Sequence, residues 1–370
     1  MINNMQNQIP ENWQETTLGG TATLNYGEGL IEQNRNVGGV PVYGSSGITG
    51  YHNTPLVNEP GYIIGRKGSV GSIYYSPQPF FPIDTTYYVT KSDIKCDYFF
   101  FNYLLKTLRL NKLNSDSAVP GLNREIAYAQ RVLLPTLPEQ KEIATILSAF
   151  DDKIEINNKI VRILEEMTQT IFKEWFVKFK FPGHEKVKFI GSELGKIPDG
   201  WKVETLDIFC EVIYGKDLPV KDLQSSGNPV YGGNGIIGFS DKYLYDDPEI
   251  IIGCRGAYSG NIFKTKPKSY VTHNSLVLIR KNSVKLNYLF YALQKANVKS
   301  TITGSAQPQI TATELNKLLL LKPVEKVSNL FDSMIEPIET KLLEVELENQ
   351  KLAQMRDLFL PKLMKGEIRV

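Results

Sequence analysis

Cysteine is scarce in this chain of 370 residues: Cys96, Cys210 and Cys254 are the three present, widely spaced and odd in number. That argues against a disulfide framework and against a thiolate metal site, and leaves the three as structural residues. No apolar run approaches the ~20 residues needed to cross a bilayer. The longest, such as Leu318–Leu321, are far too short. The opening residues Met1–Pro10 are polar and uncharged, so no secretory signal is visible. A cytoplasmic location with no membrane partner is the expectation. Charge of one sign is missing as well: the net charge is +2, so nucleic-acid binding, if it occurs, must rest on local features.

What is present is a repeat. With 42% hydrophobic residues the chain can bury two or three ordinary cores. Ile9-Pro10-Glu11-Asn12-Trp13 before Thr17-Leu18 returns 188 residues later as Ile197-Pro198-Asp199-Gly200-Trp201 before Thr205-Leu206. At the same offset Val42-Tyr43-Gly44-Ser45-Ser46-Gly47-Ile48 matches Val230-Tyr231-Gly232-Gly233-Asn234-Gly235-Ile236. Ile63-Ile64-Gly65-Arg66-Lys67-Gly68 matches Ile251-Ile252-Gly253-Cys254-Arg255-Gly256, and Ser117-Ala118-Val119-Pro120 matches Ser305-Ala306-Gln307-Pro308. Each half therefore carries one globular unit of similar size.

Short runs rich in Ile, Val, Tyr and Phe, punctuated by Gly, Pro, Asn and Ser, predict strands at Tyr62–Ile64, Ser72–Tyr75, Thr86–Thr90, Ile250–Ile252 and Leu276–Ile279. Helical spacing predicts one helix per unit, at Asp97–Thr107 and Leu286–Lys295. After each unit the character changes. From Pro138 to Lys178 apolar residues fall at Ile143, Leu147, Phe150, Ile154, Val161, Leu164, Ile171 and Trp175. Asn157 and Thr168 complete steps of four and three, the seam of a coiled coil. Such a seam requires a partner helix. Glu325–Lys365 supplies one, with Val327, Phe331, Met334, Ile338, Leu342, Val345, Leu352, Met355 and Phe359 on one side. Two helices of about 40 residues would make a rod of roughly 60 Å. Asn157, with Asn349 opposite, would fix its register at some cost in stability. Pro337 is expected to kink the second helix or mark its start.

Two globular units alternating with two long helices, Phe179–Phe181 leading into Gly195-Lys196-Ile197-Pro198-Asp199-Gly200-Trp201, and the closing Leu360-Pro361-Lys362-Leu363-Met364-Lys365-Gly366-Glu367-Ile368 together resemble the specificity (S) subunits of type I restriction-modification enzymes. The resemblance covers essentially the whole chain. It implies an α+β fold, a tandem repeat of two β-rich target recognition domains alternating with two long helices that form an antiparallel coiled coil. The expected boundaries are 1–137 for the first recognition domain, 138–180 for the central helix, 181–323 for the second domain and 324–370 for the C-terminal helix. The resemblance also implies double-stranded DNA as ligand, each domain reading half of a split site. Two methyltransferase (modification) subunits would dock on the helices, and restriction/translocase subunits would join the larger complex. The first unit departs from the family in one loop, where Ser117-Ala118-Val119-Pro120-Gly121-Leu122 replaces the form seen as Gly304-Ser305-Ala306-Gln307, so the same contact is not carried over to Val119.

The chain itself is expected to be non-catalytic. A DNA methyltransferase needs a Gly-rich cofactor loop and a proline-proline motif, and Asn53-Thr54-Pro55-Leu56 is a poor match to the second. The Gly65–Gly71 and Gly253–Gly260 clusters lack the Lys-Ser/Thr of a P-loop. No cofactor is expected; S-adenosylmethionine, ATP and Mg belong to the partner subunits, and no metal ligand set is seen. The same Gly loops suit DNA phosphates, with Arg66, Lys67 and Arg255 as cations and Tyr258 beside them; the alternative is a β-turn with a solvated charge. Tyr43, Ser45 and Ser46, and Tyr231 and Asn234, are base-reading candidates or plain turn residues. Asp84 and Thr85 align with His273 and Asn274; Asp can accept from a cytosine amino group and Asn can pair with adenine, so the difference between the two segments is a candidate change of specificity. His273 alone, without a partner at fixed spacing, is neither a metal ligand nor a general base. Ser117, Ser305, Gln307 and Gln309 are further candidates, the glutamines either reading adenine or capping the next helix. A carbohydrate- or peptide-acting enzyme would need paired carboxylates at the duplicated positions, which carry Ser, Thr, Asn, Gln and cations instead. A stand-alone bipartite DNA-binding regulator is the remaining alternative.

Overall fold

The computed structural model describes residues 9–113, 121–281, 283–304 and 307–370. The chain divides into two compact units, residues 1–158 with 347–370 and residues 159–346, so each unit takes part of both long helices.

The first unit holds a four-stranded sheet, in the order Asn25–Tyr26, Thr86–Thr90, Gly61–Gly65, Ile73–Ser76, and a three-stranded sheet, Gly47–His52, Val40–Gly44, Phe81–Pro82. Gly61–Gly65 is buried along its whole length. Successive side chains of a strand point to opposite faces. Tyr62 and Ile64 therefore enter the larger core with Trp13, Phe100 and Phe101, while Ile63 enters a smaller one with Tyr43 and Phe80. A strand sandwiched in this way needs a continuous apolar run rather than an alternating one. The helix Tyr98–Thr107 covers the larger core, its first turn capped by the Asp97 carboxylate, which accepts from the Phe99 and Phe100 N–H groups at 3.0 and 2.9 Å.

The second unit repeats this plan. Its four-stranded sheet runs Cys210–Tyr214, Ser275–Arg280, Ile250–Gly253, Ile262–Lys264, and its three-stranded sheet Gly235–Ser240, Asn228–Gly232, Tyr270–Val271. Ile250 and Ile252 face one core and Ile251 the other. Even a β-bulge recurs, between Val42 and Tyr43 and between Val230 and Tyr231.

The first long helix spans Leu137–Phe172 and continues as a π-helical turn, Lys173–Val177; the second spans Glu325–Met364. Pro337 interrupts neither end: the second helix runs through it. In the first unit Phe150 stacks on Phe359, Arg356 Nη1 donates to Asp151 Oδ1 at 2.6 Å, and Asn157 Nδ2 donates to Asn349 Oδ1 at 2.9 Å and Glu348 Oε2 at 2.8 Å. As one helix ascends the other descends, so the pairing is antiparallel. Ile143, Leu147 and Asn157 are buried, and Phe150, Ile154, Val161, Leu164, Ile338 and Leu352 half-buried, with Leu342 and Val345 buried. Two expected seam positions are corrected. Met334 and Met355 are exposed, at 41% and 46%, and Ile335 and Arg356 take their places. The seam 331, 335, 338, 342, 345, 349, 352, 356, 359, 363 is the first-helix seam displaced by the same 188 residues that relate the two domains.

The shorter helix of each unit, Tyr98–Thr107 or Leu286–Lys295, is tied to a long helix by an equivalent bond. Tyr103 donates to Asp151 Oδ2 at 2.8 Å, and Tyr291 to Glu339 Oε1 at 2.9 Å. Burial pushes the Asp151 carboxyl up, but the Arg356 hydrogen bond, the Lys106 charge and the Tyr103 hydroxyl together hold it below the usual carboxylate range. A depressed pKa stabilises the fold above the ordinary carboxylate range, and that contribution is lost as pH falls through the lowered value. In the second unit Lys264 Nζ contacts Glu339 Oε2 at 2.6 Å and Asn287 Oδ1 at 3.0 Å.

The Asn157–Asn349 pair generates a stability prediction. Asn157→Val should cost about 1–3 kcal/mol by leaving Asn349 poorly partnered in the seam, whereas Asn157→Val with Asn349→Val should recover most or all of it. Chemical unfolding of the four proteins of this cycle measures the coupling; additive losses would show that the two amides do not act as a pair.

Candidate nucleic-acid interface

The buried central strand of each unit ends in a glycine-flanked loop, and main-chain hydrogen bonds gather the other candidate segments around it. In the first unit the Arg66 and Lys67 N–H groups donate to the Thr85 carbonyl at 2.9 and 3.1 Å, and Leu122 N–H donates to the Arg66 carbonyl at 2.8 Å. Lys67 and Gly121 form a β-bridge. The turn at Ser45–Ser46 joins them: the Ser46 and Ser69 hydroxyls are 3.1 Å apart, and the Ser72 hydroxyl donates to the Ser45 carbonyl.

The second unit builds the same lattice from different side chains. Cys254 N–H donates to the Asn274 carbonyl at 2.9 Å, and Ile310 N–H to the Cys254 carbonyl at 3.0 Å. Arg255 bridges to Gln309, and Gly256 N–H donates to the Pro308 carbonyl at 2.9 Å. Asn261 Nδ2 donates to Asn234 Oδ1 at 2.9 Å. In each unit four segments far apart in sequence thus meet at one place. Close approach explains the glycine that ends the strand: a Cβ on Gly253 would lie 2.4 Å from the carbonyl oxygens of both Gly233 and Tyr258.

Ser46, Lys67 and Asp84 are exposed in the first cluster, with Ser45, Arg66 and Thr85 half-buried. Asn234, Arg255, Tyr258, Asn274, Gln307 and Gln309 are exposed in the second, with His273 half-buried. Ser117 and Ser305 lie outside the described residues.

Tyr43 and Tyr231 are corrected from base-reading candidates to core residues. They are 6% and 4% exposed; Tyr43 packs edge-on against Phe80, and the Tyr231 hydroxyl accepts from Lys266 N–H at 3.0 Å. Burial raises the Tyr231 phenol above its ordinary value. His273 is not alone either: its Nδ1 contacts the Asp217 carboxylate. The residues that sequence reasoning missed are Ser69, Ser72, Asp217 and Asn261, which bond to predicted ones, and Tyr26 with Arg124, which pack around Arg66. Nothing in their local sequence sets them apart, so only the long-range pairing reveals them.

A groove of about 580 Å³ in the second unit, lined by Phe172, Phe176, Tyr288 and Leu318–Leu321 among others, holds none of the candidate residues. Among the described residues there is no cluster of His, Cys, Asp and Glu able to hold a metal ion, and no helix long and apolar enough to cross a membrane.

The chain matches the family model for the type I restriction modification DNA specificity domain twice, over residues 10–166 and 198–326. It is 25% identical to the type I restriction enzyme MjaIX specificity subunit of Methanocaldococcus jannaschii, over 76% of this chain and 71% of that one. It is 22% identical to the HindI specificity subunit of Haemophilus influenzae, over 64% and 68%. In fold it is similar to the crystal structure of the type I restriction-modification S subunit from M. genitalium, with a TM-score of 0.66 over 98% of both chains at 18% identity.

The exposed Arg255 beside a main-chain-rich loop gives a direct test of phosphate contact. Arg255→Ala should weaken binding to duplex DNA of any sequence and make the slope of log affinity against log salt shallower by about 0.9. A folded variant with the wild-type slope would remove Arg255 from the phosphate-contacting set.

Proposed function

This chain belongs to the type I restriction modification DNA specificity family, and from that premise we propose that it selects a two-part DNA target, one half-site per unit, for subunits that do the chemistry. One observation carries the reading: the loop cluster is built twice on the same main-chain lattice, and the side chains it presents differ. Ser46 stands where Asn234 does, Thr85 where Asn274 does and Gly121 where Gln309 does. Short polar and amide side chains distinguish bases through groove-edge hydrogen bonds, and amides pair bidentately with adenine. A duplicated scaffold with divergent amides suits two different half-sites.

In this reading the chain is the non-catalytic member of its assembly. Two modification subunits dock on the long helices and bring S-adenosylmethionine; restriction and translocase subunits bring ATP and Mg. The predicted DNA-contacting set is Ser45, Ser46, Arg66, Lys67, Asp84 and Thr85 on one unit, and Asn234, Arg255, Tyr258, His273, Asn274, Gln307 and Gln309 on the other. Calorimetry of the pure chain with S-adenosylmethionine should give no heat of binding; tight binding would overturn the non-catalytic assignment.

Coexpression with modification subunits followed by methylome sequencing reads the target directly. Asn274→Ala should change the preferred bases in one half-site only, costing ~1–3 kcal/mol at the affected base. Uniform loss at both half-sites would mark Asn274 as structural.

The helices are proposed to set the spacing between half-sites. Deleting Asn157–Ile163 together with Val345–Lys351 removes one heptad from each and about 10 Å of rise, which is at most about three base pairs. The half-site sequences should persist while the unspecified spacer between them shortens by one to three base pairs. Modification of the original spacing by a folded, partner-bound deletion variant would show that the helices are not the ruler.

A further inference from the structure

Tyr26 stands on the edge strand Asn25–Tyr26 of the first unit and is 45% exposed. Two guanidinium groups lie over its ring, Arg66 Cζ at 4.9 Å and Arg124 Cζ at 4.8 Å from the centroid, so the two cations are within 10 Å of each other. Each also faces a second ring, Tyr87 at 5.9 Å for Arg66 and Tyr128 at 5.7 Å for Arg124. Among the described residues Arg66 has no carboxylate partner and Arg124 has a single, solvent-exposed one. The Arg66 guanidinium meets the main-chain carbonyl of Asp84 at 3.1 Å. Arg124 faces the highly exposed Glu125 carboxylate at 3.8 Å, and its buried Nε has no hydrogen-bond partner.

The placement is fixed by the main chain. Leu122 N–H donates to the Arg66 carbonyl at 2.8 Å, and the Tyr87 hydroxyl donates to the Leu122 carbonyl at 2.9 Å, which pins the segment entering Arg124. Asn123 Oδ1 accepts from Glu125 N–H at 2.8 Å and holds the next turn. Like charges held this close repel, and the arrangement becomes favourable when an anion sits between or beside them.

The repeat shows that the fold does not need these cations. At the equivalent positions of the second unit the aromatic is kept as Tyr214, 47% exposed, but Arg66 is replaced by the buried Cys254 and Arg124 by Ala312. The same lattice closes there, with Ile310 N–H on the Cys254 carbonyl at 3.0 Å. A packing role would leave a cation or a substitute of similar size in both units.

We infer that Tyr26, Arg66 and Arg124 form a site on the first unit for the phosphodiester backbone of DNA, without counterpart at the equivalent positions of the second. Held over tyrosine rings, the two guanidinium groups keep their positive charge beside one another at a partly exposed surface, where phosphate oxygens can accept from their remaining N–H groups. The first unit then grips DNA through charge, and the second relies more on its amides. This rests on the DNA-reading function proposed above.

The test uses the 370-residue chain and a labelled duplex of arbitrary sequence, with affinity measured from 50 to 200 mM salt. R66Q/R124Q should flatten the log–log salt slope by about 1.8, so that the variant loses roughly tenfold less affinity than wild type across that range. R66K/R124K, which keeps both charges, should retain most of the slope. Thermal unfolding reports whether each variant is folded, and R124Q alone, expected to flatten the slope by about 0.9, serves if the pair is not. A wild-type slope in the folded glutamine variant, or a lysine pair as flat as the glutamine pair, overturns the site and leaves the DNA-reading function standing. Wild-type protein with no salt-dependent duplex binding overturns both.

Discussion

The burial of one strand on both faces in each unit is the constraint on which the remaining architecture depends. Gly61–Gly65 and Ile250–Gly253 send alternate side chains into two separate cores. Both cores must close around a single backbone, so the strand cannot shift by one residue without exchanging its two faces. Its end is therefore fixed, and with it the loop that follows. Glycine at that end, Gly65 or Gly253, lets a neighbouring carbonyl approach to where a Cβ would otherwise stand, 2.1 Å from Ser69 O in the first unit.

From that fixed point the loop cluster is assembled by main-chain bonds, and this separates the scaffold from what it presents. The pairs Arg66–Leu122 and Cys254–Ile310, and Arg66–Thr85 and Cys254–Asn274, are the same bonds made by different residue types. Because an N–H or C=O is indifferent to its own side chain, these positions can change identity at little cost to the fold. The near-neutral net charge follows the same logic. A few placed cations and uncharged amides can serve as a contact set without a basic surface, so a near-neutral composition is no argument against DNA binding.

The repeat, the central strands and the recognition-domain helices were legible in the sequence because each is carried by a local apolar pattern at a fixed offset. The hairpins Val40–Gly44/Gly47–His52 and Asn228–Gly232/Gly235–Ser240 were not assigned as strands, since their glycines and serines read as turns. The same ambiguity misplaced Tyr43 and Tyr231: an aromatic beside a Gly-rich turn reads as exposed, whereas both rings lie in the smaller core of their unit. The second seam erred where hydrophobicity and geometry disagree. Met334 and Met355 are apolar but exposed, while Arg356 occupies the seam because Asp151 compensates its charge. The 188-residue offset, carried into the helices, would have selected Ile335 and Arg356.

That shared offset also creates a difficulty that the seam itself answers. Two helices with the same heptad pattern can in principle pair one heptad out of register with most apolar contacts intact. The departure from the repeat lies where it prevents this: Asn157 corresponds to Val345, and Asn349 to Val161. With Asn157 against Asn349, one amide donates to the other at 2.9 Å and Asn349 Nδ2 reaches Asn158 Oδ1 at 3.0 Å. A slip of one heptad would bring Asn157 opposite Leu342 or Arg356 instead of Asn349. The first leaves a buried amide without a partner, at about 1–3 kcal/mol; the second displaces Arg356 from Asp151. The polar layer therefore selects one register out of several that the hydrophobic pattern alone would allow.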